Sequence, residues 1–152
     1  MTDDDIVALP VVGIALPPLV RHVTQASIDA YARASGDHNP IHVDPAFAAT
    51  GPYGRTIAHG LMTLAFVGQL LNRWSDGAFD RSGQLDATFL GPIFADDTVV
   101  VAATIESAVD TPDAIDTRLA LRCSVGERAV LIGTADLKLP LTLSPSSARS
   151  RP

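Results

Sequence analysis

Ala58-His59-Gly60-Leu61-Met62-Thr63-Leu64-Ala65-Phe66-Val67-Gly68-Gln69-Leu70-Leu71-Asn72-Arg73-Trp74 is the stretch on which the fold turns. Its apolar residues, Leu61, Met62, Leu64, Ala65, Phe66, Val67, Leu70, Leu71 and Trp74, occupy nearly every face of a helix. Such a pattern predicts one long helix enclosed by other structure. A membrane span is the competing reading, but His59, Thr63, Gln69, Asn72 and Arg73 interrupt a run already shorter than the roughly 20 apolar residues a span needs. The stretch is therefore read as a central helix, with no membrane partner.

Downstream the character changes. Leu85, Ala87 and Phe89 alternate with their neighbours, and Thr98 to Ile105, Thr117 to Val125 and Ala129 to Leu139 are rich in alternating or β-branched residues. Four strands are expected there. The short link Ser124-Val125-Gly126-Glu127 favours antiparallel neighbours, and Pro10 to Ile14 offers a further strand near the N-terminus. A curved antiparallel sheet wrapped around one long apolar helix buries both, so the fold class is α+β.

Upstream, Thr24 can cap a helix whose Ile28, Tyr31, Ala32 and Ser35 share one side, and Gly36 is placed to end it in the left-handed conformation. Asp44-Pro45 reads as an N-cap followed by proline at the first helical position, opening a short helix through Ala49. Residues 37–43 are then a loop between two helix ends. No repeat and no long Pro/Gly/Ser linker divides the body, so one domain is expected over residues 6–143, with flexible termini at 1–5 and 144–152.

Composition narrows the partners. With 152 residues, 47% hydrophobic and 18% charged, the chain has the make-up of a well-packed globular domain. Its net charge is −6 and it has no basic stripe, which argues against nucleic acid. Ten of the eleven cations are Arg, suited to bidentate phosphate contacts, so a few of them could hold a phosphorylated carrier such as coenzyme A. The single Cys123 excludes an intramolecular disulfide and a cysteine zinc cluster, and fits a reducing compartment. The acidic start Met1-Thr2-Asp3-Asp4-Asp5 is unlike a secretory signal, and a cytoplasmic location is expected.

The polar residues concentrate in Tyr31 to Asp44, and again at His59-Gly60. Asp37 and His42 are five apart across a Pro-containing turn, close enough to converge on one water. A carboxylate and an imidazole so placed can both remove and return a proton. Each residue also has a plainer reading. Asp37 could make an Asx turn with Asn39, and Asn39-Pro40 could simply fix the turn, or Asn39 could touch substrate. His59 could be a hydrogen-bonded structural residue or a substrate contact. Asp44 is assigned to capping, Tyr31 and Phe47 to packing, and Cys123 to the core. His38 and His42 are four apart, but Pro40 between them prevents the helix that would align both rings on zinc, so no metal is expected.

Tyr31, Ser35-Gly36-Asp37, Asn39-Pro40-Ile41-His42, Asp44 and Ala48, continuing into His59-Gly60, resemble the hydratase-2 motif of the MaoC-like family, which has the hot-dog fold. The resemblance implies that Asp37 and His42 handle the water added to, or released from, a trans-2-enoyl thioester, giving an (R)-3-hydroxyacyl thioester. It implies no cofactor. The substrate would be an acyl-CoA or acyl-carrier-protein thioester, and the working form a homodimer, with heterodimers also known among the family's dehydratases. By position, the Gly60 N–H would bind the thioester oxygen, and its place in the first turn of the central helix agrees. One departure is Gly68, where some short-chain members carry a serine. Two other functions stay open at this point: a hot-dog thioesterase, against which the Asp-x-Asn-Pro-x-His run argues, and a non-catalytic acyl-binding or partner subunit, which need not keep both Asp37 and His42.

Overall fold

The computed structural model describes residues 9–141. The expected termini, 1–5 and 144–152, and the outermost residues of the expected domain lie outside that range. The elements run β1 (Leu19–His22), α1 (Gln25–Ser35), α2 (Pro40–Val43), α3 (Pro45–Ala49), α4 (Gly60–Ser75), α5 (Ala78–Ser82), β2 (Gln84–Phe89), β3 (Thr98–Asp110), β4 (Ala114–Val125) and β5 (Arg128–Pro140). The five strands form one antiparallel sheet in the order β1-β3-β4-β5-β2.

The alternation of the long strands sets the sheet's inner face. On β3 it is Val99, Val101, Ala103 and Ile105 that are buried, on β4 Leu119, Leu121 and Cys123, and on β5 Ala135, Leu137 and Leu139. Bulges at Glu106 of β3 and at Val130 of β5, each skipped in the pairing with β4, bend those two strands and help to curl the sheet over a helix. That helix is α4, which gives Met62, Val67, Leu70 and Leu71 to the same core. A side chain the size of the fully buried Leu71 stabilises the fold by about 1.5–3 kcal/mol. Sheet and helix together make the hot-dog arrangement expected from the sequence.

The helix ends follow the sequence closely. Thr24 and Ser27 form a reciprocal capping box on α1, and Gly36 closes it with φ 79°. The Asp44 carboxylate accepts the Phe47 N–H at 3.1 Å and so caps α3 as assigned. Gly126, with φ 56°, turns β4 into β5.

Four expectations need correction. Residues 37–43 are not all loop, because Asn39 caps, and Pro40 starts, a single helical turn through Val43. Pro10 to Ile14 forms no strand of its own: it turns at Val12-Gly13, and lies along β3 through Gly13 N–H to Ile105 O and the Ala15–Thr104 bridge. Gly13 there takes φ 86°, outside any extended conformation. The central helix is not enclosed on every side, since Leu61 is 64% exposed and Ala65 is exposed on the same face. Phe47 is half-exposed and packs into no core, because the one-turn α3 directs only Ala48 inward. Strand β1 and helix α5 are additional to the elements anticipated from sequence.

Candidate active site

The site is assembled where α1 ends. Gly36 donates its N–H to Ala32 O at 2.9 Å, which stops the helix and releases Asp37. Asp37 Oδ1 then accepts the Asn39 N–H at 3.1 Å, forming the Asx turn. Asn39 Oδ1 accepts the Ile41 N–H at 3.2 Å, which starts α2 and leaves only the amide NH2 of Asn39 for another partner. The plainer readings of both residues hold, and they are compatible with chemistry. The Asx turn uses one carboxylate oxygen, and the other makes no hydrogen bond with the described residues.

His42 hangs from this one-turn helix and is 7% exposed. Its Nδ1 lies 2.7 Å from Ile57 O. A carbonyl only accepts, so Nδ1 carries the proton, and in the neutral ring Nε2 is the bare nitrogen, free to take a proton. The backbone of His42 is pinned separately. Gln25 Nε2 donates to His42 O at 2.8 Å and to Asp29 Oδ1 at 2.8 Å, while the buried Thr56 hydroxyl donates to Gln25 Oε1 at 2.5 Å. Gln25 and Thr56 have no place in the motif, and only their nearness in space shows this role.

His59, the residue before α4, is 3% exposed. Its Nε2 donates to Asp37 O at 2.9 Å, its ring stacks on His42 with centroids 3.9 Å apart, and Tyr31 packs on it at 4.9 Å. The same tautomer logic leaves Nδ1 bare, and it is buried without a hydrogen-bond partner among the described residues. His59 thus touches both members of the pair, and Tyr31 packs beside them as anticipated.

One ligand-capable atom from each of Asp37, His42 and His59 lies within 4.8 Å of the other two. Stacked imidazoles direct their in-plane lone pairs side by side, whereas a shared metal ion needs them to converge. One nitrogen of each ring is also committed to a backbone carbonyl. The cluster suits a water held between a carboxylate and an imidazole better than a metal.

Gly60 opens α4, and no side chain caps that end. Met62 N–H reaches His59 O at 3.1 Å, while the N–H groups of Gly60 and Leu61 in the first turn have no intrahelical acceptor and face negative charge favourably. Beside it is a cavity of about 310 Å³ lined by Tyr53, Ile57, Gly60, Thr63, Phe89 and Val130, among others. Phe89 closes over Gly60 so tightly that a Cβ there would stand 3.3 Å from its ring. An uncapped helix N-terminus therefore opens on a cavity of mixed polar and apolar lining. Asp37, His42 and His59 do not line it; the link runs through Ile57, whose O accepts from His42 Nδ1, and through His59, which precedes Gly60. Cys123 stands apart, wholly buried in β4, where burial pushes its thiol up to about 11.

The fold is that of a hot-dog protein, and Asp37, His42 and His59 gather at the N-terminal end of its central helix. The chain belongs to the MaoC like domain family, which it matches over residues 16–121. It is 34% identical to a 3-hydroxybutyryl-CoA dehydratase of Methylorubrum extorquens over 80% of this chain and 76% of that protein. It is 31% identical to an (R)-specific enoyl-CoA hydratase of Aeromonas caviae over 76% of this chain and 85% of that one. Among solved structures, the (R)-hydratase from A. caviae involved in PHA biosynthesis superposes with a TM-score of 0.74 and 29% identity, covering 85% of this chain and 96% of the other.

Proposed function

We propose that this chain is a hydro-lyase that adds water to trans-2-enoyl thioesters to give (R)-3-hydroxyacyl thioesters, and catalyses the reverse dehydration. The observation that carries the reading is the cluster of Asp37, His42 and His59, which brings one nitrogen of His42 within 4.8 Å of an Asp37 carboxylate oxygen at the uncapped N-terminus of α4, while His42 Nε2 is left free to take a proton. A dehydratase and an (R)-specific hydratase among its relatives support the same chemistry.

In the forward direction one water is held by Asp37 and His42. Its oxygen bonds to C3 of the enoyl group as one member of the pair takes a proton, and electrons move through C2 to the thioester oxygen. The Gly60 N–H stabilises that enolate, a contribution typically worth about 3–4 kcal/mol for one such donor. A proton returned to C2 completes the addition, so one water enters and nothing else leaves. Asn39 offers its amide NH2 to the substrate, and His59 acts by fixing Asp37 and His42. The cavity beside Gly60 takes the acyl thioester, on coenzyme A or an acyl carrier protein.

We further assign the domain to residues 6–143, the working form to a homodimer, with a heterodimer as the alternative, and the location to the cytoplasm. Exposed Leu61, Tyr53, Phe89 and Leu90 supply apolar surface for a second chain near the site. The free, buried Cys123 fits a reducing compartment. No described helix is long and apolar enough to cross a membrane.

The test is loss of the conjugated-thioester absorbance of crotonyl-CoA and longer trans-2-enoyl-CoAs. Wild type is expected to consume them without releasing free thiol, and folded Asp37→Asn and His42→Ala variants to be inactive. Release of free thiol would replace the reading by a thioesterase, and full activity in either variant would remove that residue from the mechanism.

A further inference from the structure

Arg55 holds its guanidinium carbon 3.8 Å above the centre of the Phe94 ring. Tyr53 packs edge-on against the same ring, with centroids 6.4 Å apart and planes at 71°. The backbone beneath is fixed: Ile57 bridges to Phe94, Ile57 N–H reaches Ile41 O at 3.2 Å, and Ala58 N–H reaches Ile93 O at 2.7 Å. Tyr53 and Ile57, on either side of Arg55, both line the cavity that ends at Gly60. Arg55 itself is exposed and lies in the chain between these two lining residues, which puts it beside that cavity.

The other arginine at this rim is already engaged. Arg128 donates to Pro92 O at 2.7 Å and pairs with Asp97 at 3.7 Å. Arg55 has neither a carboxylate nor a hydrogen-bond acceptor among the described residues. Stacking on an aromatic ring occupies only the faces of a guanidinium. It leaves the in-plane N–H fork open, partly ordered in advance and weakly hydrated, which is the geometry that binds phosphate through two parallel hydrogen bonds. An anionic ligand also approaches a chain of net charge −6, so a local cation at the entrance counters the general repulsion.

We propose that Arg55, seated on Phe94, binds a phosphate of the substrate's carrier at the entrance to the acyl cavity. The inference rests on the thioester reading and narrows it to carriers bearing a phosphopantetheine-type arm.

The experiment compares wild type with Arg55→Gln on three crotonyl thioesters, of coenzyme A, of 4′-phosphopantetheine and of phosphate-free pantetheine. Losing a charge-assisted pair is expected to raise KM for the coenzyme A thioester about tenfold or more, while the pantetheine thioester changes by less than about threefold. The same loss with the 4′-phosphopantetheine thioester locates the contact at the phosphate shared by coenzyme A and carrier proteins. Loss with the coenzyme A thioester alone locates it at the nucleotide phosphates. An equal fall on all three, or none, overturns the proposal. Should wild type turn over no thioester, the hydro-lyase reading fails by itself, and calorimetric titration with free coenzyme A decides the site: about tenfold weaker binding in Arg55→Gln keeps it, and equal or absent binding removes it.

Discussion

The imidazole of His59 lies face to face on that of His42, with ring centroids 3.9 Å apart and planes 27° from parallel. The same side chain donates to the backbone carbonyl of Asp37 at 2.9 Å, and its own peptide continues into Gly60. One buried residue therefore links the carboxylate, the imidazole and the helix N-terminus, which come from three separate elements. Its Nδ1 has no hydrogen-bond partner among the described residues.

If His59 sets these distances rather than binding substrate, its removal should lower kcat more than it raises KM. His59→Ala loses both the stack and the hydrogen bond, and kcat is expected to fall about 10–100-fold, as for a misplacement on the order of 1 Å. His59→Gln keeps an N–H donor for Asp37 O and should recover part of that loss. Steady-state kinetics on crotonyl-CoA, with circular dichroism to establish folding, separates this from direct binding, for which KM would rise instead.

Gln25 and Thr56 hold His42 from the backbone side. Gln25→Leu leaves His42 O and the Thr56 hydroxyl without their partner, and should lower stability by about 1–3 kcal/mol in urea unfolding. Thr56→Val removes a donor from the same network. The double variant should therefore cost less than the two single changes added together. Strict additivity would show that the two side chains act independently.

Much of this was legible in the sequence because its signals are local. Thr24 and Gly36 mark the ends of α1 through capping and a left-handed turn, and each needs only its neighbours in the chain. Alternation likewise discloses β3, β4 and β5, whose inner residues face one core. The four-residue β1 is too short to carry a period of its own and exists because β3 offers an edge to pair with. The Asp37/His42 spacing suggests convergence, but the tautomer of His42 depends on Ile57 O, fifteen residues away, and its anchor Gln25 lies seventeen residues upstream. The exposed Leu61 face of α4 is not legible at all, because apolar residues on a helix do not reveal whether anything covers them.

Two glycines should respond oppositely to alanine. Gly68 sits within α4, and a Cβ there meets nothing within 4 Å. Gly68→Ala should stabilise the fold by about 0.5–1 kcal/mol through helix propensity and raise Tm. Gly133 is paired with Ala87 of β2, and a Cβ there would collide with Asp86 O and Ala87 Cα. These are backbone atoms, so β2 must move. Gly133→Ala should destabilise by about 1–3 kcal/mol or more, with thermal denaturation reading both variants.

Cys123 supplies a prediction in pH. Its side chain is wholly buried in β4, and burial raises the thiol from 9.0 to about 11, because the apolar core disfavours the thiolate. Below pH 9 the group is protonated whether the chain is folded or not, and its contribution is fully present. Between pH 9.0 and about 11 the unfolded chain gives up a proton that the folded chain keeps, so rising pH favours unfolding. Within that window the slope approaches about 1.4 kcal/mol per pH unit at most. Urea unfolding of wild type and Cys123→Ala at several pH values isolates the effect: their stability difference should be constant below pH 9 and shift against wild type above it. In native protein at pH 8 a thiol reagent should label Cys123 only as fast as the chain opens, and rapid labelling without unfolding would contradict its place in the core.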